Sequence, residues 1–170
     1  MFNSRNLVLI GIVLIVAMLR FLPHPPNFVP IAALAMFGGA YFSNKGMALL
    51  IPMGIMLATD AIIGFHDTMW IVYLSFMAMV GIGMLVGKKV GFASVTAGAL
   101  TGSILFYLTT NFAVWAMGSG IFYPLNFEGL LMSYTAAIPF FHYSIAGDLF
   151  YSAILFGGFE YAQKRVPALA

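Results

Sequence analysis

The chain has 170 residues, of which 62% are hydrophobic and only 7% charged, and its mean hydropathy is +1.02. A soluble domain carries roughly 25% charged residues, so seven basic and five acidic side chains cannot dress a water-soluble globule, and an all-helical integral membrane protein is expected. A net charge of +2 is too small to grip a phosphate backbone, which excludes nucleic acid as a partner, and the absence of cysteine excludes disulfides, thiolate nucleophiles and cysteine metal sites.

The first apolar stretch, residues 7–22, follows a basic start at Arg5 and lacks a small-residue cleavage site, so it reads as a retained span rather than a removed signal. Further stretches run over 28–42, 46–63, 70–86, 93–114 and 139–161, predicting six transmembrane helices in one compact bundle, a single domain over 1–170. The connection 115–138 contains an apolar piece, 130–138, that is too short to cross, and it is expected to fold back as a short helix or loop between spans five and six. No internal repeat is visible, so an inverted-repeat transporter is not expected.

Alternating the six spans puts Arg5, Lys45, Lys88, Lys89, Lys164 and Arg165 on one side and Arg20 alone on the other. The positive-inside rule then predicts a multi-pass protein of the bacterial cytoplasmic membrane with both termini cytoplasmic. His24, Asp60, His66, Asp67, Glu128 and His142 fall at the outer side, so the polar chemistry is expected there.

The first outer loop places four prolines within residues 20–30, stiff enough to hold Arg20, His24 and Asn27 at little entropic cost. Asp60, near the outer end of span three, and Asp148, the deepest acid, need partners or water inside a membrane. They are either ligand-binding groups or structural pairs, for example with Arg20. Span five carries Tyr107, Asn111 and Trp115 at i, i+4, i+8, a stripe that either lines a pocket or forms part of an aromatic belt. With Tyr123 in the following connection, these residues make up the candidate ligand site: Arg20, His24, Asn27, Asp60, His66, Asp67, Asn111, Trp115, Tyr123, His142 and Asp148. The three histidines sit on separate segments without an HxxxH or HExxH pair, so no protein metal site is expected. A lone histidine as axial ligand to a metal held inside an organic cofactor is a smaller demand and stays open.

The run from Arg20-Phe21-Leu22-Pro23-His24-Pro25 through Asn27-Phe28-Val29-Pro30-Ile31, with Phe37-Gly38-Gly39-Ala40, Asp60, Asn111-Phe112 and Pro139-Phe140-Phe141, resembles a family of small bacterial six-span proteins of poorly defined function. That family in turn looks like the substrate-binding S-components of energy-coupling-factor (ECF) vitamin transporters, the solitary, BtuM-like cobalamin-uptake type included. The resemblance implies a vitamin-binding subunit whose outer loops enclose substrate, with an energising transporter module as partner. Two features depart from that pattern. Span one lacks the alanine-x-x-x-alanine motif for the energising subunit, with only Ala35-x-x-x-Gly39 and Ala93-x-x-x-Ala97 elsewhere, and there is no cysteine to bind cobalt, so His66 or His24 would have to be the axial ligand.

The expected function is therefore uptake of a vitamin-like small molecule, with cobalamin or a related corrinoid as the bound substrate and membrane lipids as surroundings. No catalytic residue or catalytic cofactor is expected. The rivals are an intramembrane enzyme using Asp60, Asp148 and a histidine on a lipid or quinone, and a structural subunit of a membrane complex.

Overall fold

The computed structural model describes residues 4–169. Six α-helices follow one another: α1 (Ser4–Ala17), α2 (Ile31–Tyr41), α3 (Lys45–Ile63), α4 (Met69–Val86), α5 (Phe92–Met117) and α6 (Phe127–Arg165), with 3₁₀ turns at Met18–Phe21 and Pro167–Leu169. Among the described residues there is no strand. Four segments are long and apolar enough to cross a membrane: Ser4–Phe21, Lys45–Ile63, Met69–Val86 and Phe92–Met117. Their flanks carry apolar side chains to the outside, including Ile15, Leu50, Ile62, Leu85 and Phe92, a surface that water would not tolerate and lipid would.

Within the second predicted stretch, 28–42, the helix is short. It is an 11-residue helix, about 16 Å long, that is apolar all round and buried at every position but Ala40. Small residues let it serve as the axis of the bundle. A Cβ on Gly39 would run into the carbonyl of Val80, and one on Gly83 into the carbonyl of Met36, so α2 and α4 meet backbone to backbone. Phe37, Tyr41, Phe156 and Phe159 then close an aromatic cluster between α2 and α6.

The expected break before residue 139 is absent. Asn126 caps α6 by accepting from Gly129 N at 2.8 Å, and the helix runs on through Pro139 for 39 residues, about 58 Å. Its first turns do not fold back as a separate piece because α5 holds them. Tyr107 donates to the Tyr134 carbonyl at 2.7 Å, and Tyr134 donates to that of Leu108 at 2.9 Å. α6 is long enough to cross a membrane but is not among the four apolar segments, since His142, Asp148 and its serines dilute its apolar run.

Contacts fix which helix ends lie together. Tyr41 donates to Glu160 at 2.6 Å, Asn6 reaches Met47 Sδ at 3.9 Å, and Gly87 abuts Ala40. These gather the start of α1, the end of α2, the start of α3 and the ends of α4 and α6, hence Arg5, Lys45, Lys88, Lys89, Lys164 and Arg165, at one basic end. The terminal residues 1–3 and 170 lie outside the described residues.

Candidate functional site

At the end opposite the basic one, the proline-rich loop is held by a turn in which Phe28 N donates to Pro25 O at 3.0 Å. Pro26 presets the second position and Asn27 takes the third with φ +63°, a left-handed conformation that asparagine tolerates better than most side chains. Phe28 packs its ring on Phe150 and Tyr151, 5.8 and 5.5 Å between centroids. Its backbone rests on Gly147, where an added Cβ would come within 3.2 Å of Phe28 Cα. The loop is thereby pinned to α6 one residue from Asp148.

Beneath Asn27 a cavity of about 350 Å³ opens among α4, α5 and α6, with Val72, Tyr107, Asn111, Phe141 and Ser144 in its walls. A smaller space of about 50 Å³ shares Asn27, Phe106 and Ser144 with it and carries it down to Asp148. Tyr107 stacks on Phe141 with centroids 4.4 Å apart, making one aromatic wall. Asn111 donates Nδ2 to the Tyr107 carbonyl at 2.8 Å, which fixes the amide and leaves its oxygen facing no partner among the described residues. Asp148 is 5% exposed and accepts from Ser103 at 2.6 Å. No basic side chain pairs with it among the described residues. An aromatic cavity with an amide oxygen near its mouth and a carboxylate at its floor suits a small amphipathic molecule carrying hydrogen-bond donors.

Arg20 and Asp60 belong to a different construction. Their charged groups lie 2.7 Å apart, Tyr73 donates to the second oxygen of Asp60 at 2.8 Å, and Arg20 also donates to Thr59. Thr59 in turn donates to the Met56 carbonyl at 2.9 Å. With both carboxylate oxygens engaged, this cluster clasps the 3₁₀ turn after α1 to α3 and α4, the structural pairing that the sequence left open for Asp60.

Of the eleven candidate residues, Asn27, Asn111 and Asp148 are brought together at the cavity. His24 is exposed with Nδ1 3.0 Å from the Pro25 carbonyl, and His66 is exposed with Nδ1 3.1 Å from Thr68 Oγ1. His142 is exposed on α6, and Asp67 lines a shallow depression with Trp70 and Tyr73. Trp115 donates to the Pro124 carbonyl at 2.9 Å, bracing the α5–α6 connection, and Tyr123 is half-buried in that connection without lining the cavity. Among the described residues no three His, Asp or Glu side chains come together as a metal site. Ser103, the partner of Asp148, was legible one turn before Tyr107 in the same i+4 stripe; Phe141 and Tyr73 carried no comparable signal, since each is one aromatic residue in an apolar run.

Neither the curated proteins nor the solved structures contain a match to this chain. A family model does match it over residues 1–169, and the chain belongs to that family, DUF6580, a family of unknown function.

Proposed function

We propose that this chain is a six-span protein of the bacterial cytoplasmic membrane that binds a vitamin-like small organic molecule from the outer face for uptake. The observation that carries the reading is Asp148, a buried carboxylate with no cationic partner among the described residues, at the floor of an aromatic cavity. Burying an acid without a counter-charge is expensive, and inside a bilayer such a group is by default functional. The gathering of six basic residues at one end supports placing that end in the cytoplasm, with the proline loop outside. Four long apolar helices, with α2 buried at the centre and α6 running the whole length, are compatible with six crossings.

The size of the cavity, about 350 Å³, favours a molecule much smaller than a corrinoid, and neither His24 nor His66 lines it as an axial ligand would. A corrinoid would need the proline loop to lift away from α6. The likeness to S-components of ECF transporters therefore enters as a mode of action, binding outside and release inside, rather than as a choice of vitamin. Engagement of Asp60 by Arg20 and Tyr73 removes one of the two acids that an intramembrane acid–base enzyme would use, which favours binding over catalysis.

Untargeted mass spectrometry of small molecules in cells with and without the chain tests this reading. At least one small organic solute should accumulate several-fold with the wild-type chain and not with Asp148→Asn, at equal amounts of protein in the membrane. Identical solute contents in the three strains would contradict it.

A further inference from the structure

A second concavity lies nearer the basic end on the same α5–α6 seam, a lateral groove of about 580 Å³. Its walls are largely apolar, with Phe92, Val95, Leu149 and Phe156, but three polar side chains line it: Thr96, Ser152 and Glu160. Ser152 is 1% exposed, and its Oγ has no hydrogen-bond partner among the described residues. A helical serine ordinarily returns its hydroxyl to the preceding turn, as Ser103 and Ser144 do toward Ala99 and Phe140. An orphaned buried hydroxyl is costly and calls for an occupant that can bond it. An acyl chain cannot.

The placement of this groove gives it a role. Asp148 and Ser152, four residues apart, are neighbours on one face of α6, and Ser144 and Glu160 extend the row outward and inward as it winds around the helix. Ser144 and Asp148 line the outer cavity, while Ser152 and Glu160 line the groove. The distance from Asp148 to Ser152 is one turn, about 6 Å along the axis. Between the two spaces stands the hydrogen bond from Ser103 to Asp148.

We infer that the groove is a second, inner binding site on a path along the α5–α6 seam, and that its ligand is a small organic molecule bearing a cationic amine. The amine class follows from the chemistry that lines the two sites: Asp148 in one, Glu160 in the other with one of its oxygens accepting from Tyr41 and the second open to a ligand, and no basic side chain lining either. Lys88 and Lys89 are close in sequence to the groove's Val90 and Gly91 but are themselves exposed. The inference rests on the proposed binding function and adds a release site and a substrate class to it.

The cysteine-free chain allows a direct test by thiol labelling in oriented vesicles. Ala153→Cys reports on the groove, Ala137→Cys on the outer cavity, and Ile154→Cys, on the neighbouring exposed apolar face, on the lipid. The probes are a trimethylammonium methanethiosulfonate and its sulfonate counterpart, both water-soluble. Ala153→Cys should react from the basic-end side at least about tenfold faster than Ile154→Cys, because hydrophilic reagents are excluded from the acyl region. It should also prefer the ammonium over the sulfonate reagent, and adding Glu160→Gln should lower that preference several-fold. Labelling of Ala153→Cys no faster than that of Ile154→Cys would show a lipid-filled groove and overturn the inner site. Fast labelling without a cation preference, or with one indifferent to Glu160→Gln, would overturn the amine. Ala137→Cys separates the two levels: if it labels from the opposite side while Ala153→Cys does not, only the inner site falls, whereas if it too is inert, the outer-cavity reading falls with it.

Discussion

Arg20 shows how a single charge can look functional in the sequence and be structural in the fold. It is the one basic residue on its side of the chain and sits in a loop of prolines, yet its guanidinium is consumed by Asp60 and Thr59. Arg20→Ala would leave the Asp60 carboxylate buried beside Tyr73 alone, a loss of about 3 to 5 kcal/mol for a broken buried pair. Replacing both partners by apolar residues, as in Arg20→Met with Asp60→Leu, should restore most of it, and thermal unfolding in detergent reads the difference. Asn111 behaves oppositely. Asn111→Leu gives up one hydrogen bond to a carbonyl, about 1 kcal/mol, so it should lower ligand retention far more than it lowers the melting temperature. What separates these residues was not visible in the sequence: Arg20, Asp60 and Asn111 are all polar groups near one face, and only the tertiary approach of Arg20 and Tyr73 to Asp60 decides which are already satisfied.

At the scale of elements, the glycines of α2 and α4 set how close the helices come. Gly83→Val would drive its side chain into the Met36 carbonyl, and chymotrypsin resistance or detergent stability should collapse. Gly54→Ala has open space around its Cβ and should raise stability by about 0.5 to 1 kcal/mol. The same pair of measurements on one gel or melting series would show whether close packing, rather than loss of glycine as such, is what matters. Helix positions were largely legible, with α3, α4 and α5 beginning and ending within a few residues of the predicted stretches. The long α6 was not. The apolar piece 130–138 read as a separate short helix or loop because alone it is too short to cross, while the bonds that carry the helix through, from Tyr107 and Tyr134 to carbonyls across the α5–α6 seam, are tertiary and leave no periodic mark. The burial of α2 inside the predicted stretch 28–42 was not legible, because an apolar run does not say whether lipid or other helices surround it.

For the whole molecule, charge and cavity together make one directional design: a basic end, a pinned proline loop at the other, and the cavity above Asp148 between them. Single-cysteine labelling checks the direction, with Lys88→Cys reacting from the cytoplasmic side and Asp67→Cys from outside; labelling of Lys88→Cys from outside would invert the proposed topology. The central claim is that a small organic molecule sits in the cavity above Asp148. Native mass spectrometry of the purified chain measures this most directly when the wild type is compared with Ser144→Trp, which fills the cavity from its own wall. The wild type should carry a small molecule at one per chain and Ser144→Trp should carry none while remaining folded. A wild type that releases only lipid, or a bound molecule undiminished in folded Ser144→Trp, would contradict the claim.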